Sequence, residues 1–262
     1  MNRIALKRIA LVLALSAVIG AAQAGDGAPD LSKVNGSLVA EAGRTYGDID
    51  TVNGSITVEA KAVARNVETV NGSIVIDSFA SVQDVGTVNG KIVLRNGASA
   101  RGVETVNGAI VGVSNLRVAK SVEAVNGSIE LGAHSSIGSQ VETVNGSIKL
   151  LWLNVGGGVE TVNGNITVGD GSVIGGNVTV KKPSNWGMSW GKPKVPRIVL
   201  GPNSTVKGNL VFEREVELYV HSTAKYGKII YMVSHSSTLE AGASNAEALK
   251  PVVFTGKEPD FK

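Results

Sequence analysis

Six carboxylates recur at one position of a short sequence repeat: Asp50, Glu68, Glu104, Glu123, Glu142 and Glu160, with Gly86 interrupting the series. Stacked one above another at strand spacing, such side chains could hold a divalent cation weakly or meet a cationic ligand. Neighbouring carboxylates about 4.8 Å apart cost near 1 kcal/mol per pair in water. At an effective dielectric of 20 the cost is about fourfold higher, so the sequence predicts a solvated, exposed acidic face. Arg65, Arg101 and Lys120 precede Glu68, Glu104 and Glu123 by three residues and are placed to neutralise them in part.

A second group of chemistry-bearing residues breaks the repeat. Residues 181–197 carry Lys181, Lys182, Lys192, Lys194 and Arg197 with no acid, and two of the three tryptophans, Trp186 and Trp190. Indoles flanked by cations suit stacking on sugars beside acidic groups, or rest at a lipid headgroup surface. The alternative is a loop whose indoles fold back over the core. These seven residues form the candidate ligand-binding loop.

Catalytic constellations are thin. His134, His221 and His235 stand in different contexts, and no zinc-protease, nucleophile-elbow or phosphate-loop spacing occurs. Asp48 and Asp50 share a strand face, but their equivalents one repeat later are Asn66 and Glu68. A non-enzymatic protein without cofactor or metal is expected. The absence of cysteine excludes thiol chemistry, disulfides and cysteine-held metals.

The elements that position these residues follow from the repeat. Val-Asn-Gly recurs at Val34, Val52, Val70, Val88, Val106, Val125, Val144 and Val162, at spacings of 18 or 19 residues. The surrounding text is close to V-E-T-V-N-G-S-I-x-V. Its β-branched runs favour strands, and Asn-Gly, tolerant of positive φ, supplies a corner. A row of hairpins and a β-solenoid both fit. Near-constant spacing with identical residues favours the solenoid, where equivalents stack on adjacent coils. The fold expected is all-β, a single-chain parallel β-helix with about 18 residues per coil. Its handedness is not readable from the residues and is taken as right-handed. Val70, Ile74 and Ile76 are expected to point inward. Asn35, Asn53, Asn71, Asn89, Asn107, Asn126, Asn145 and Asn163 are expected to form a structural asparagine ladder.

The chain divides accordingly. Residues 1–24 read as a signal peptide: Arg3, Lys7 and Arg8, an apolar run from Ile9 to Ile19, then Ala22-Gln23-Ala24 before the expected cleavage. Residues 25–30 are a linker, 31–180 the repeat solenoid, 181–197 the insertion, 198–234 further coils and 235–262 a cap or tail. Gly-Asn-Val at 176–178 and Gly-Asn-Leu at 208–210 read as later turns of the same structure. Without residues 1–24 the chain holds 22 basic and 22 acidic side chains, so net charge offers nothing to nucleic acid. Residues 31–180 hold ten basic and thirteen acidic residues, and 181–262 twelve and seven.

The repeated V-N-G-S-I text after a signal peptide resembles a bacterial family of adhesin-labelled domains of unknown function with β-solenoid structure, over roughly residues 31–180. The two Gly-Asn turns are similar to those of bactofilins, solenoids that polymerise, although an exported chain departs from that cytoskeletal group. The resemblance implies a solenoid and an envelope role, and it transfers no catalytic residue. The expected function is a structural or adhesin-like binding module, periplasmic or at the cell surface, not spanning the membrane. Envelope or host glycans or a surface protein are the expected partners, with end-to-end self-association possible in principle. A periplasmic assembly scaffold without external ligand is the alternative, and a polysaccharide-cleaving β-helix the third reading.

Overall fold

Each V-E-T-V run is extended because its β-branched side chains crowd a helical backbone and pack well on a pleated one. Each Ile-x-Val run that follows does the same after a two-residue corner. A third, two-residue strand completes the coil. In the computed structural model these three segments stack into three parallel sheets. Residues 27–183 and 194–232 are described, together with the backbone strand Val252–Thr255.

The first sheet has 11 strands, from Leu31–Asn35 to Ile229–Tyr231. The second also has 11, from Leu38–Ala40 to Val252–Thr255. The third has 8, from Val63–Ala64 to Thr205–Val206. Adjacent strands in every sheet come from successive coils, so the fold is the β-solenoid expected from the spacing. The two 19-residue intervals leave the strands in register. Val118 pairs with Ala100 and Val122 with Val103, so the extra residue lies in the intervening corner.

The core is one continuous cluster along the rod axis. Ile74 and Ile76 point into it, as do their equivalents. Val70 does not. Val67 and Thr69 are fully buried instead, while Val70 lies on the outer side of its strand. The threonine is accommodated because its hydroxyl donates to the glycine carbonyl of the preceding coil. Thr69 Oγ1 donates to Gly54 O at 2.9 Å, and Thr51, Thr87, Thr105 and Thr143 repeat the bond. A buried hydroxyl satisfied in this way costs little.

The Asn-Gly corner also differs from its expected chemistry. Among its glycines only Gly36 has positive φ. The others are glycine because successive corners touch. A Cβ on Gly72 would lie 1.8 Å from Gly54 O, and one on Gly127 1.7 Å from Gly108 O. Left-handed backbone sits elsewhere, between the second and third sheets, at Gly43, Lys61, Phe79, Gly97, Asn115, His134, Trp152, Gly171 and Asn203.

Candidate functional site

The acidic residues do stack. Asp50 pairs with Glu68, Glu68 with Gly86, Gly86 with Glu104, and Glu104, Glu123, Glu142 and Glu160 follow in adjacent strands. The face is not the exposed one expected. Glu123 and Glu142 are only 5% and 6% exposed, and Asp50, Glu68, Glu104 and Glu160 are half-buried. A side chain with neighbours directly above and below at strand spacing keeps little water contact even on an outward face. Ser121 Oγ donates to Glu123 Oε1 at 2.6 Å.

The expected neutralisation is also redirected. Arg65 pairs with Asp30 and Asp48, each at 3.3 Å, and Arg101 with Asp84. These cations serve the aspartates at the neighbouring corner. Burial, then the charges of Asp50, Asp48, Asp84 and Glu104, push the Glu68 carboxyl up to about 7. Asp50 is raised as well, by burial first and by Asp48 and Asp30, against a lowering hydrogen bond from Ser32. Among the described residues no three histidine or acidic side chains converge as metal ligands would.

This arrangement has a pH consequence. The Glu68 folded-state value of about 7 stands above its ordinary 4.5. Between those two values the folded chain keeps a proton that the unfolded chain has lost. Its contribution to stability therefore falls as pH rises through that window and levels off above it. Urea midpoints should be higher near pH 5 than near pH 8, and Glu68→Gln should remove much of the difference. An unchanged slope in the variant counts against the buried-carboxyl account.

The asparagines make a directed chain. Each Nδ2 donates to the Oδ1 one coil earlier, from Asn53 onto Asn35 through Asn163 onto Asn145, at 2.8–3.0 Å. Every amide dipole points the same way, so the ladder ends at Asn163 with an acceptor facing the next coil. That acceptor meets Arg214, whose Nη1 donates to Asn163 Oδ1 at 2.8 Å and to Val162 O at 3.0 Å. Its Nη2 donates to Lys194 O at 3.0 Å. Burial lowers the Arg214 pKa, and nearby Glu215 partly opposes this.

The insertion leaves the rod at this same corner, between Val178–Val180 of the first sheet and Arg197–Leu200 of the second. Both stems are tied down. Lys182 N donates to Glu213 Oε2 at 3.1 Å, and Arg197 N to Asn165 Oδ1 at 2.9 Å. Two of the proposed ligand cations are used internally. Lys181 pairs with Glu160 across one coil. Arg197 lies in a strand, 3.5 Å from Glu217 and over the Tyr219 ring at 5.1 Å. Lys182 and Lys194 are exposed. Trp186, Trp190 and Lys192 lie outside the described residues, as do His235, residues 1–24, expected to be a signal peptide, and, apart from Val252–Thr255, the C-terminal stretch 235–262. His134 is exposed at a corner, and His221 Nδ1 is 2.9 Å from Thr223 Oγ1.

The sequence does not single out Arg214. It sits outside the repeated text, and only the direction of the asparagine dipoles, fixed in three dimensions, identifies its role. Among the described residues no helix is long and apolar enough to cross a membrane. Comparison with protein-family models, curated proteins and solved structures returns no match.

Proposed function

We propose that the protein is an exported, non-enzymatic solenoid that acts as a structural and adhesin-like binding module at the bacterial envelope. The observation that carries this reading is the anchoring of the insertion. A rod whose repeat is held to 18 or 19 residues from Leu31 to Val180 then lengthens to 32 between the paired Ile166 and Ile198, and fixes both stems of that insertion; a second long interval, of 35 residues, separates the paired Leu218 and Val253. Loops on rigid scaffolds carry recognition disproportionately, and the inserted residues bring indoles and cations. Envelope or host glycans, or a surface protein, are the partners this composition suits.

Co-sedimentation of the purified protein with envelope polysaccharide and outer-membrane vesicles tests the reading. Saturable binding lost by Trp186→Ala/Trp190→Ala at unchanged melting temperature supports it. Binding by neither protein favours the assembly-scaffold alternative. One observation lends weight to that alternative. Leu31–Asn35 and Leu38–Ala40 each pair on one side only among the described residues, and a free strand edge can recruit a second copy.

A further inference from the structure

The corner between the second and third sheets carries a left-handed residue in nine successive coils. Glycine or asparagine occupies five of these places, at Gly43, Gly97, Asn115, Gly171 and Asn203. Those residues adopt the conformation at little cost. Phe79 and Trp152 occupy two others, at φ 61° and 55°. Bulky side chains in this region strain the backbone. Nor do they gain burial, since Phe79 is 59% and Trp152 57% exposed.

Both rings are seated in the same manner. In the coil that follows each one, the equivalent corner residue is glycine. A Cβ on Gly97 would lie 2.5 Å from Phe79 Cδ1, and one on Gly171 3.2 Å from Trp152 Cε3. Each ring thus rests on glycine backbone and turns much of its remaining surface to water. The positions are four coils apart, about 19 Å at the spacing of stacked strands. Between and beside them the corner is largely polar, although Val113 is 51% exposed within it. It presents Asn96, bonded to Ser114 and Asn115, then exposed His134, with exposed Asp170 beyond Trp152. The charges flanking Phe79, Asp77 and Arg95, face each other at 3.9 Å.

We propose that this corner is a binding site for an extended neutral polysaccharide, with Phe79 and Trp152 as stacking platforms for two of its sugar rings. The inference rests on the reading of the rod as a binding module, and it places a site outside the 181–197 insertion. A pyranose has an apolar C–H face that stacks on an aromatic ring, and an equatorial rim of hydroxyls that needs amide, imidazole and carboxylate partners. Separated rings in a polar setting match that pattern, whereas a lipid surface would call for a contiguous apolar patch. The rise per coil is close to the length of one extended hexose residue. A chain lying along the corner therefore meets one coil per sugar, and its first and fifth sugars meet the two rings.

The test uses substitutions that relieve the backbone. Phe79→Gly and Trp152→Gly install the residue that this corner uses elsewhere, so melting temperature should be unchanged or higher. Affinity electrophoresis through gels containing hydroxyethyl cellulose, dextran or mannan should retard the wild-type protein on at least one of them. Each variant should weaken that retention about tenfold, and the double variant should abolish it. With soluble oligomers of the retained polymer, affinity should rise about tenfold between four and six sugars, when both rings are reached. A clear fall in melting temperature in either variant would mark the rings as packing residues and overturn the proposal. Retention that survives both substitutions, or that only Trp186→Ala/Trp190→Ala removes, overturns the corner site and leaves the binding-module reading intact. So does absence of retention on all three polymers by a wild-type protein that still binds envelope vesicles.

Discussion

Gly127→Ala is expected to lower the stability of the rod by about 3 kcal/mol or more, whereas Gly43→Ala should cost about 1 kcal/mol. The order is the reverse of what backbone conformation alone would give. Gly43 has φ +70 and open space around its missing side chain. Gly127 has no positive φ, but a Cβ there would lie 1.7 Å from Gly108 O and 2.6 Å from Gly108 C. Those atoms are main chain. They also belong to a corner that touches the coil below in the same way, since Gly108 itself sits against Gly90 O. A shift to admit one methyl therefore propagates along the column or breaks it. Thr143, which donates to Gly127 O at 2.9 Å, loses its acceptor geometry at the same time. Urea unfolding of the two variants beside wild type measures the difference. Equal losses would mean that the glycine column is there for backbone freedom after all.

Arg214→Ala should be the costliest polar substitution, at about 2–3 kcal/mol, with Arg214→Lys recovering little of it. Three acceptors from two segments converge on one guanidinium: Val162 O, Asn163 Oδ1 and Lys194 O. An ammonium cannot span that fork. The charge also suits its place, because the aligned asparagine amides present their oxygen end to it. The loss should have a local signature as well. With the tie to Lys194 removed, limited proteolysis should cleave within residues 184–193 well before the rest of the chain. Proteolysis unchanged from wild type would show that the clamp does not hold the insertion.

The parts of this structure that were legible in the sequence are those where one residue type must meet its own copy. Stacked coils put like on like, so the spacing of Val-Asn-Gly carried the solenoid, and the asparagines and carboxylates could be placed in columns. What depends on neighbouring columns was not legible. Val70 and Thr69 exchange the sides that hydrophobicity assigns them, because a glycine carbonyl one coil away satisfies the threonine hydroxyl. The burial of Glu123 and Glu142 arises from the crowding of adjacent side chains, and composition does not record it. The left-handed corner carries no sequence signal because its occupants vary. Lysine, phenylalanine, histidine and tryptophan share one backbone conformation with glycine and asparagine, and no repeated letter marks the place. The pull of Asp30 and Asp48 on Arg65, away from Glu68, likewise needs the corner geometry.

The coils are equivalent, stacked units, and coil number alone sets the distance between chemical groups along the rod. Deleting residues 92–109 removes one whole coil and joins Lys91 to Ile110, bringing the strands Ile74–Ile76 and Ile110–Gly112 into direct register. Small-angle scattering of this variant should show the wild-type cross-section and a rod shorter by about 4.8 Å, with cooperative melting retained. A nine-residue deletion starting at the same point should not fold, since it turns every later strand to the wrong sheet. An unfolded 18-residue deletion beside a folded nine-residue one would contradict the account.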